Sequence, residues 1–429
     1  MRLRRRVLFI CLSVLPVSLS LMVVLVTRGA DNHTAPDTKR VPKVAAIVTA
    51  YFHNSHADVI VSRLLQTMTL DDKGERPALQ LVSLYVDQPQ GSSVGLDIAR
   101  AHHIPIYKTP AEALTLGGKS LAVDGVLLIG EHGRYALSST GQVIFPKRRL
   151  FTEILEVCDR SHRVVPVYTD KHLADNWEDA KWIYDQAHRC GMPLMAGSTL
   201  PLTWRYPPID VKRNSHVSEI VATAYSSLEA YGYHGLEIIQ CLAERRAGGE
   251  TGVRSVQFYE GPRVWQAIAK GVISREVIEA ATSKRRHSLS KPGEPLESAF
   301  KDPVLVVITY RDGLRAGLLW ASNLVDFTAA WRDADTGKIE SALFWTQEAR
   351  PFMHFTYMVK GIEQMIQMGK PTWPVGRTLL VTGVLNAYFV SKKEGDRLID
   401  TPWLDVAYQS TWDWHQPPPP PPGRPIPGQ

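Results

Sequence analysis

From Lys43 to Ala196, short apolar, β-rich runs alternate with stretches of helical periodicity, and nothing else in the chain restricts its fold as strongly. Residues 44–49, 81–86, 104–107, 125–129, 164–168 and 192–196 read as strands, and residues 57–66, 95–102, 110–114, 152–159 and 177–190 as helices. In the last helix Trp177, Ala180, Ile183, Tyr184 and Ala187 recur at helical spacing, and Gly191 follows as a stop. Alternation at these intervals predicts an α/β fold, a doubly wound parallel sheet with helices on both faces. Such sheets collect ligands at the carboxyl ends of their strands, which puts Thr169, Asp170, Lys171 and His172 at a candidate site.

After Pro207 the pattern changes. Helices are expected at 217–228, 235–245, 355–368 and 378–390, and strands at 253–259, 303–310, 316–322 and 340–345. Strands without regular intervening helices predict a second, α+β domain built on an open, mainly antiparallel sheet. Residues 283–295 read as a solvated loop, and six consecutive prolines from Pro417 predict a stiff, unpacked tail. The expected organisation is a leader at 1–29, a linker at 30–42, domains at 43–200 and 201–415, and a tail at 416–429.

Arg2, Arg4, Arg5 and Arg6 precede an uncharged, mostly apolar run at 7–26, which reads as a signal peptide or a membrane anchor. The folded part is then expected outside the cytoplasm, periplasmic or membrane-anchored. Arg5-Arg6-Val7-Leu8-Phe9 also resembles a twin-arginine export signal. Of the formal charge of +6, five basic residues lie within 1–29, so the body is nearly neutral and gives no electrostatic case for nucleic acid. Cys158, Cys190 and Cys241 have neither framework nor metal-ligand spacing; buried reduced thiols, and no metal, are expected.

The turn after the first strand, Thr49-Ala50-Tyr51-Phe52-His53-Asn54-Ser55-His56, contains no glycine, although this is where a dinucleotide-binding fold brings its backbone against the pyrophosphate. Asp87, closing the second strand, stands where a carboxylate would hold the adenosine ribose. Asp170-Lys171-His172-Leu173-Ala174 resembles the Glu-Lys-Pro-Leu-Ala of the Gfo/Idh/MocA oxidoreductases, the group of glucose-fructose oxidoreductase and inositol dehydrogenase. Gly125 to Gly130 with His132 resembles that family's strand and loop beside the nicotinamide ribose. Ala230-Tyr231-Gly232-Tyr233-His234-Gly235-Leu236-Glu237 resembles its Asp-x-Gly-x-His-x-x-Asp, with Ala230 and Glu237 replacing the two aspartates.

The resemblance covers about residues 43–390 and implies a Rossmann-like first domain. It implies catalytic roles for Lys171 and His234, the lysine polarising a hydroxyl and the histidine accepting its proton during hydride transfer. NAD or NADP would lie along Thr49, Tyr51, Asn54, Asp87, Gly130 and His132, and substrate against Asp170, His172, Arg205 and Glu237. The expected activity is that of an exported oxidoreductase acting on a sugar, polyol or related hydroxylated molecule, with a homo-oligomer implied by the family. Two rival readings remain: a non-redox sugar-binding or regulatory descendant that has lost the dinucleotide, and a cofactor-assisted glycoside lyase or hydrolase. His354, near a helix start, reads as structural.

Overall fold

Six strands, β1 (Lys43–Val48), β2 (Gln80–Val86), β3 (Ile106–Tyr107), β4 (Gly125–Ile129), β5 (Val167–Asp170) and β6 (Leu194–Gly197), form one sheet in the order β3-β2-β1-β4-β5-β6. Every pairing in it is parallel. This is a computed structural model, and it describes residues 40–286 and 294–422. The crossovers carry α1 (His56–Leu65), α2 (Ser93–Ala101), α3 (Pro110–Thr115), α4 (Lys147–Arg160) and α5 (Trp177–Arg189). Central strands buried on both faces need continuous apolar sequence, and β4, GVLLI, is buried throughout. The strand order reverses direction between β1 and β4, so the carboxyl ends of these neighbours open a crevice there.

The second sheet has eight strands: β7 (Trp204–Tyr206), β8 (Val217–Ala224), β9 (Val253–Glu260), β10 (Val304–Tyr310), β11 (Arg315–Trp320), β12 (Phe327–Asp333), β13 (Ile339–Trp345) and β14 (Ile399–Asp400). Its order is β14-β9-β10-β11-β8-β12-β13-β7, antiparallel except for the β8–β11 pair. The expected helix at 217–228 is in fact β8. Its sequence, VSEIVATA, sends Ile220 and Ala222 to one apolar cluster and Val221 to another, a period of two that overrides the helical reading.

On one face of this sheet lie α6 (Ala230–Ala243) and α11 (Val375–Lys393); on the other lie α7 (Pro262–Ala269) and α8 (Arg275–Thr282), followed by the short α9 (Leu296–Ala299). Helix α10 (His354–Met368) packs Met358, Ile362 and Met365 into the core of the parallel sheet, and the described residues form one unit.

The proline-rich segment, expected to be unpacked, is docked as far as it is described. Trp414 Nε1 donates to Thr203 O at 2.9 Å, Trp204 Nε1 to Pro418 O at 2.8 Å, and Gln347 Nε2 to Pro421 O at 2.7 Å. Proline carbonyls remain good acceptors in an extended chain, and the tryptophan and glutamine donors use them. The leader and most of the linker lie outside the described residues, as does 287–293 of the expected loop. Among the described residues no helix is long and apolar enough to cross a membrane. Cys158 and Cys241 are buried free thiols, whereas Cys190 is exposed, because it caps the surface end of α5.

Candidate functional site

At the carboxyl ends of β4 and β5 the chain places four ionisable side chains side by side. Lys171, just past β5 and 1% exposed, donates through Nζ to Glu131 Oε1, just past β4. Asp170, also 1% exposed, accepts from the Gly130 amide at 2.8 Å and pairs with Lys147 Nζ at 3.1 Å. Lys147, the first residue of α4, extends across Gly130 and also donates to the carbonyls of Asp170, at 2.6 Å, and His172. A Cβ at residue 130 would press against the Lys147 stem, so the glycine gives this lysine its path.

His56, the first residue of α1, joins the two carboxylates. Its Nδ1 lies 2.6 Å from Glu131 Oε2 and 3.2 Å from Asp170 Oδ2. Burial opposes its protonation, yet the charges of Glu131 and Asp170 and the hydrogen bond to Asp170 prevail and hold it up at about 9. Burial likewise works against the Glu131 carboxylate, but His56 and Lys171 keep it well below the usual carboxylate range. His132 is pushed down to about 4 by burial and the neighbouring His56 charge.

His172 and His234 complete the cluster. The His172 ring meets the edge of Tyr233 at 4.9 Å, and Lys171 Nζ lies 5.8 Å from the centre of the same ring. His234 packs against Tyr231 and Phe327 at 5.6 and 5.8 Å. Burial, reinforced by the Lys171 charge, holds both histidines well below their ordinary pKa, so both are neutral. Three buried polar atoms here have no hydrogen-bond partner among the described residues: Glu131 Oε2, His172 Nε2 and His234 Nδ1. Orphaned acceptors and ring nitrogens around one lysine are the mark of a place that holds a polar ligand.

The expected catalytic pair, Lys171 and His234, is therefore brought into one cluster, with Asp170, His172 and His132. Other expectations are corrected. Arg205, expected on the substrate, is fully buried in β7, paired with Asp210 at 2.6 Å and stacked 4.3 Å over Trp414. Glu237 is buried where α6 meets the end of β6, accepting from the Ser198 amide at 2.8 Å, and burial raises it to about 7. It fixes β6 to α6 and presents no free oxygen to a ligand. Lys147, His56, Glu131 and Asp58 were not foreseen. Glu131 stood between two residues that were, and a lysine opening a helix carries no sequence sign of burial.

The cofactor positions do not offer what a dinucleotide needs. Thr49 and Tyr51 are fully buried; Tyr51 bonds Ser62 through its hydroxyl at 2.8 Å and packs its ring on Gly95, where any Cβ would overlap it. Around the turn the amides already have partners: Tyr51 N donates to Ser92 Oγ at 2.9 Å, Phe52 N to Ser55 Oγ at 3.2 Å and Ser55 N to Phe52 O at 3.0 Å. At the start of α1, Asn54 N donates to Asp58 Oδ2 at 2.9 Å, His56 N to His132 Nδ1 at 3.5 Å and Asp58 N to Ser55 Oγ at 3.3 Å.

The buried Asp58 carboxylate, paired with Arg350 at 2.8 Å, thus occupies the helix end where a pyrophosphate would bring its own negative charge. Asn54 accepts from the same arginine at 3.2 Å. Asp87 accepts from Tyr85 and Tyr135, each at 2.7 Å, and from Arg149; these bonds outweigh burial and lower its pKa, and they leave no oxygen waiting for a ribose. Gly130 gives its amide to Asp170, as described. The residues present do not fit a nicotinamide dinucleotide.

No protein-family model matches the sequence, and no curated protein matches it. Solved structures do match in fold. GenD2 from gentamicin A biosynthesis, solved with NAD, is 14% identical with a TM-score of 0.54, covering 84% of this chain and 96% of its own. Myo-inositol dehydrogenase from Lactobacillus casei, solved with NAD(H) and myo-inositol, is 14% identical with a TM-score of 0.53, covering 86% and 99%. A myo-inositol dehydrogenase from Corynebacterium glutamicum is 13% identical with a TM-score of 0.52, covering 84% and 98%. The chain has the fold of the Gfo/Idh/MocA-type dehydrogenases, divergent in sequence from each of these three.

Proposed function

We propose that the protein binds a small polyhydroxylated molecule, a sugar or polyol, at the strand-end cluster without a resident nicotinamide dinucleotide. The three orphaned atoms around Lys171 carry this reading. Glu131, kept ionised by Lys171 and His56, is the acceptor: a hydroxyl against Oε2 donates a hydrogen bond to it. His172 and His234, both neutral, each keep one open ring nitrogen for a neighbouring hydroxyl. Lys171 holds Glu131 in place and keeps its charge fixed. The occupied amides of the first turn and the buried Asp58 support the absence of a dinucleotide.

The redox reading is favoured by the solved proteins of this fold that carry NAD or NAD(H). Absorbance and mass spectrometry of the denatured pure protein separate the two. Retained nucleotide, or saturable NAD(P) binding, overturns the proposal. Thermal stabilisation by members of a sugar and polyol panel without nucleotide, lost in Lys171→Met, supports it. Export is proposed on residues 1–29 alone, and a periplasm-dependent reporter fused after residue 42 tests it.

A further inference from the structure

His56, Glu131 and His132 each offer a ligand atom, and these three atoms lie within 4.8 Å of one another. We propose that they bind a divalent first-row transition metal ion through two imidazoles and one carboxylate. Two histidines and a glutamate form a donor set for zinc or ferrous iron that leaves positions open to water or a substrate hydroxyl.

Two further observations point to a cation. Glu131 is 8% exposed, and its Oε2 lies 2.6 Å from His56 Nδ1 without hydrogen-bond geometry, so this buried oxygen has no proper donor. Lys171 engages only the other oxygen, as a carboxylate shared between an ammonium and a metal would require. Behind the trio, Asp170 Oδ2 meets His56 Nδ1 at 3.2 Å and is itself fixed by Lys147 and the Gly130 amide. A carboxylate behind a ligating histidine orients the ring and raises its basicity, so Asp170 is a positioning residue.

The three ligands come from the start of α1, which follows β1, and from the residues just after β4, the two strands that flank the reversal of strand order. The ion would offer its open positions to a hydroxyl of the bound molecule and polarise it. That role rests on the polyol-binding reading above; binding of the ion is tested separately.

The full chain, stripped with chelator, is titrated with Co²⁺ while visible absorption is followed, and Zn²⁺ is then added as competitor. The expected result is one equivalent of Co²⁺ with visible ligand-field bands, displaced by Zn²⁺. Glu131→Gln and His132→Ala are expected to weaken binding by about 100-fold or more, and Asp170→Asn by about 10- to 100-fold. His53→Ala, outside the trio, leaves it unchanged. Wild-type protein that takes up no stoichiometric Co²⁺, or trio variants that bind as wild type does, overturn the site; the wild-type titration stands even where a variant fails to fold. Polyol stabilisation that persists in chelated protein lacking Co²⁺ uptake overturns the metal alone. Metal uptake without any polyol effect overturns the polyol-binding reading alone.

Discussion

Replacing Lys147 by methionine isolates what holds the strand-end cluster together. The side chain is 1% exposed, and its ammonium reaches the Asp170 carboxylate at 3.1 Å and the carbonyls of Asp170 and His172. Methionine matches its length and apolar stem, so the change removes the charge and its hydrogen bonds while leaving little cavity. Asp170 would remain ionised and buried with the Gly130 amide and His56 as partners. Breaking a buried ion pair from one side costs about 3–5 kcal/mol, and two carbonyls losing a donor belong to the same event, so a total of about 4 kcal/mol is expected. Chemical denaturation of Lys147→Met, Asp170→Asn and the double variant measures it. The double variant, lacking the orphaned charge, is expected to recover at least about 1.5 kcal/mol relative to the sum of the singles. A cost below about 1 kcal/mol for Lys147→Met, or strict additivity, would refute the claim that this lysine anchors the site.

Glu237 has a second, pH-dependent consequence. Its carboxyl is raised from 4.5 to about 7 by burial, so the folded state binds its proton more tightly than the unfolded chain does. The associated stability is complete below the unfolded value and falls as pH rises through about 7. Glu237→Gln removes this loss, so its stability relative to wild type is expected to grow by about 2.5 kcal/mol between about pH 5 and pH 8; parallel pH profiles would contradict it. Gly95→Ala drives a methyl into the Tyr51 ring and is expected to cost about 1–3 kcal/mol in denaturant melts, a cost relieved by adding Tyr51→Ala. Truncation after Asp413 removes the Trp414 stack on Arg205 and the acceptor of the Trp204 indole, and a loss of about 2–4 kcal/mol is expected. A truncated protein as stable as the full chain would show the tail to be dispensable.

Where periodicity and end signals agreed, the sequence made the fold legible: β1, β4 and α5 each carry an unbroken apolar run or a clean 3.6 period closed by glycine. It misled at β8, where apolar residues on both faces of a central strand imitate a helix read over too short a window. Lys171 and His234 were legible because the motif around them survives. Lys147 and Asp58 were not, since the sequence marks both as ordinary charged helix residues, and only the closing of α4 over β5 and of Arg350 over α1 buries them. Arg205 misled in the opposite direction: a guanidinium beside tryptophan is as good at packing as at binding sugar, and its partners Asp210 and Trp414 lie too far along the chain to be paired from sequence.

The docked carboxyl-terminal segment has a consequence for assembly of the molecule. Strand β7 is an edge of the eight-stranded sheet, and its Arg205 amide is met by the Gln416 side chain at 3.0 Å. Prolines that follow offer carbonyls but no amide hydrogens, so no further strand can add to that edge once they are seated. These residues come later in the chain than every strand and helix of the fold. The β7 edge is therefore closed to foreign strands only once residues 416–421 are seated beside it.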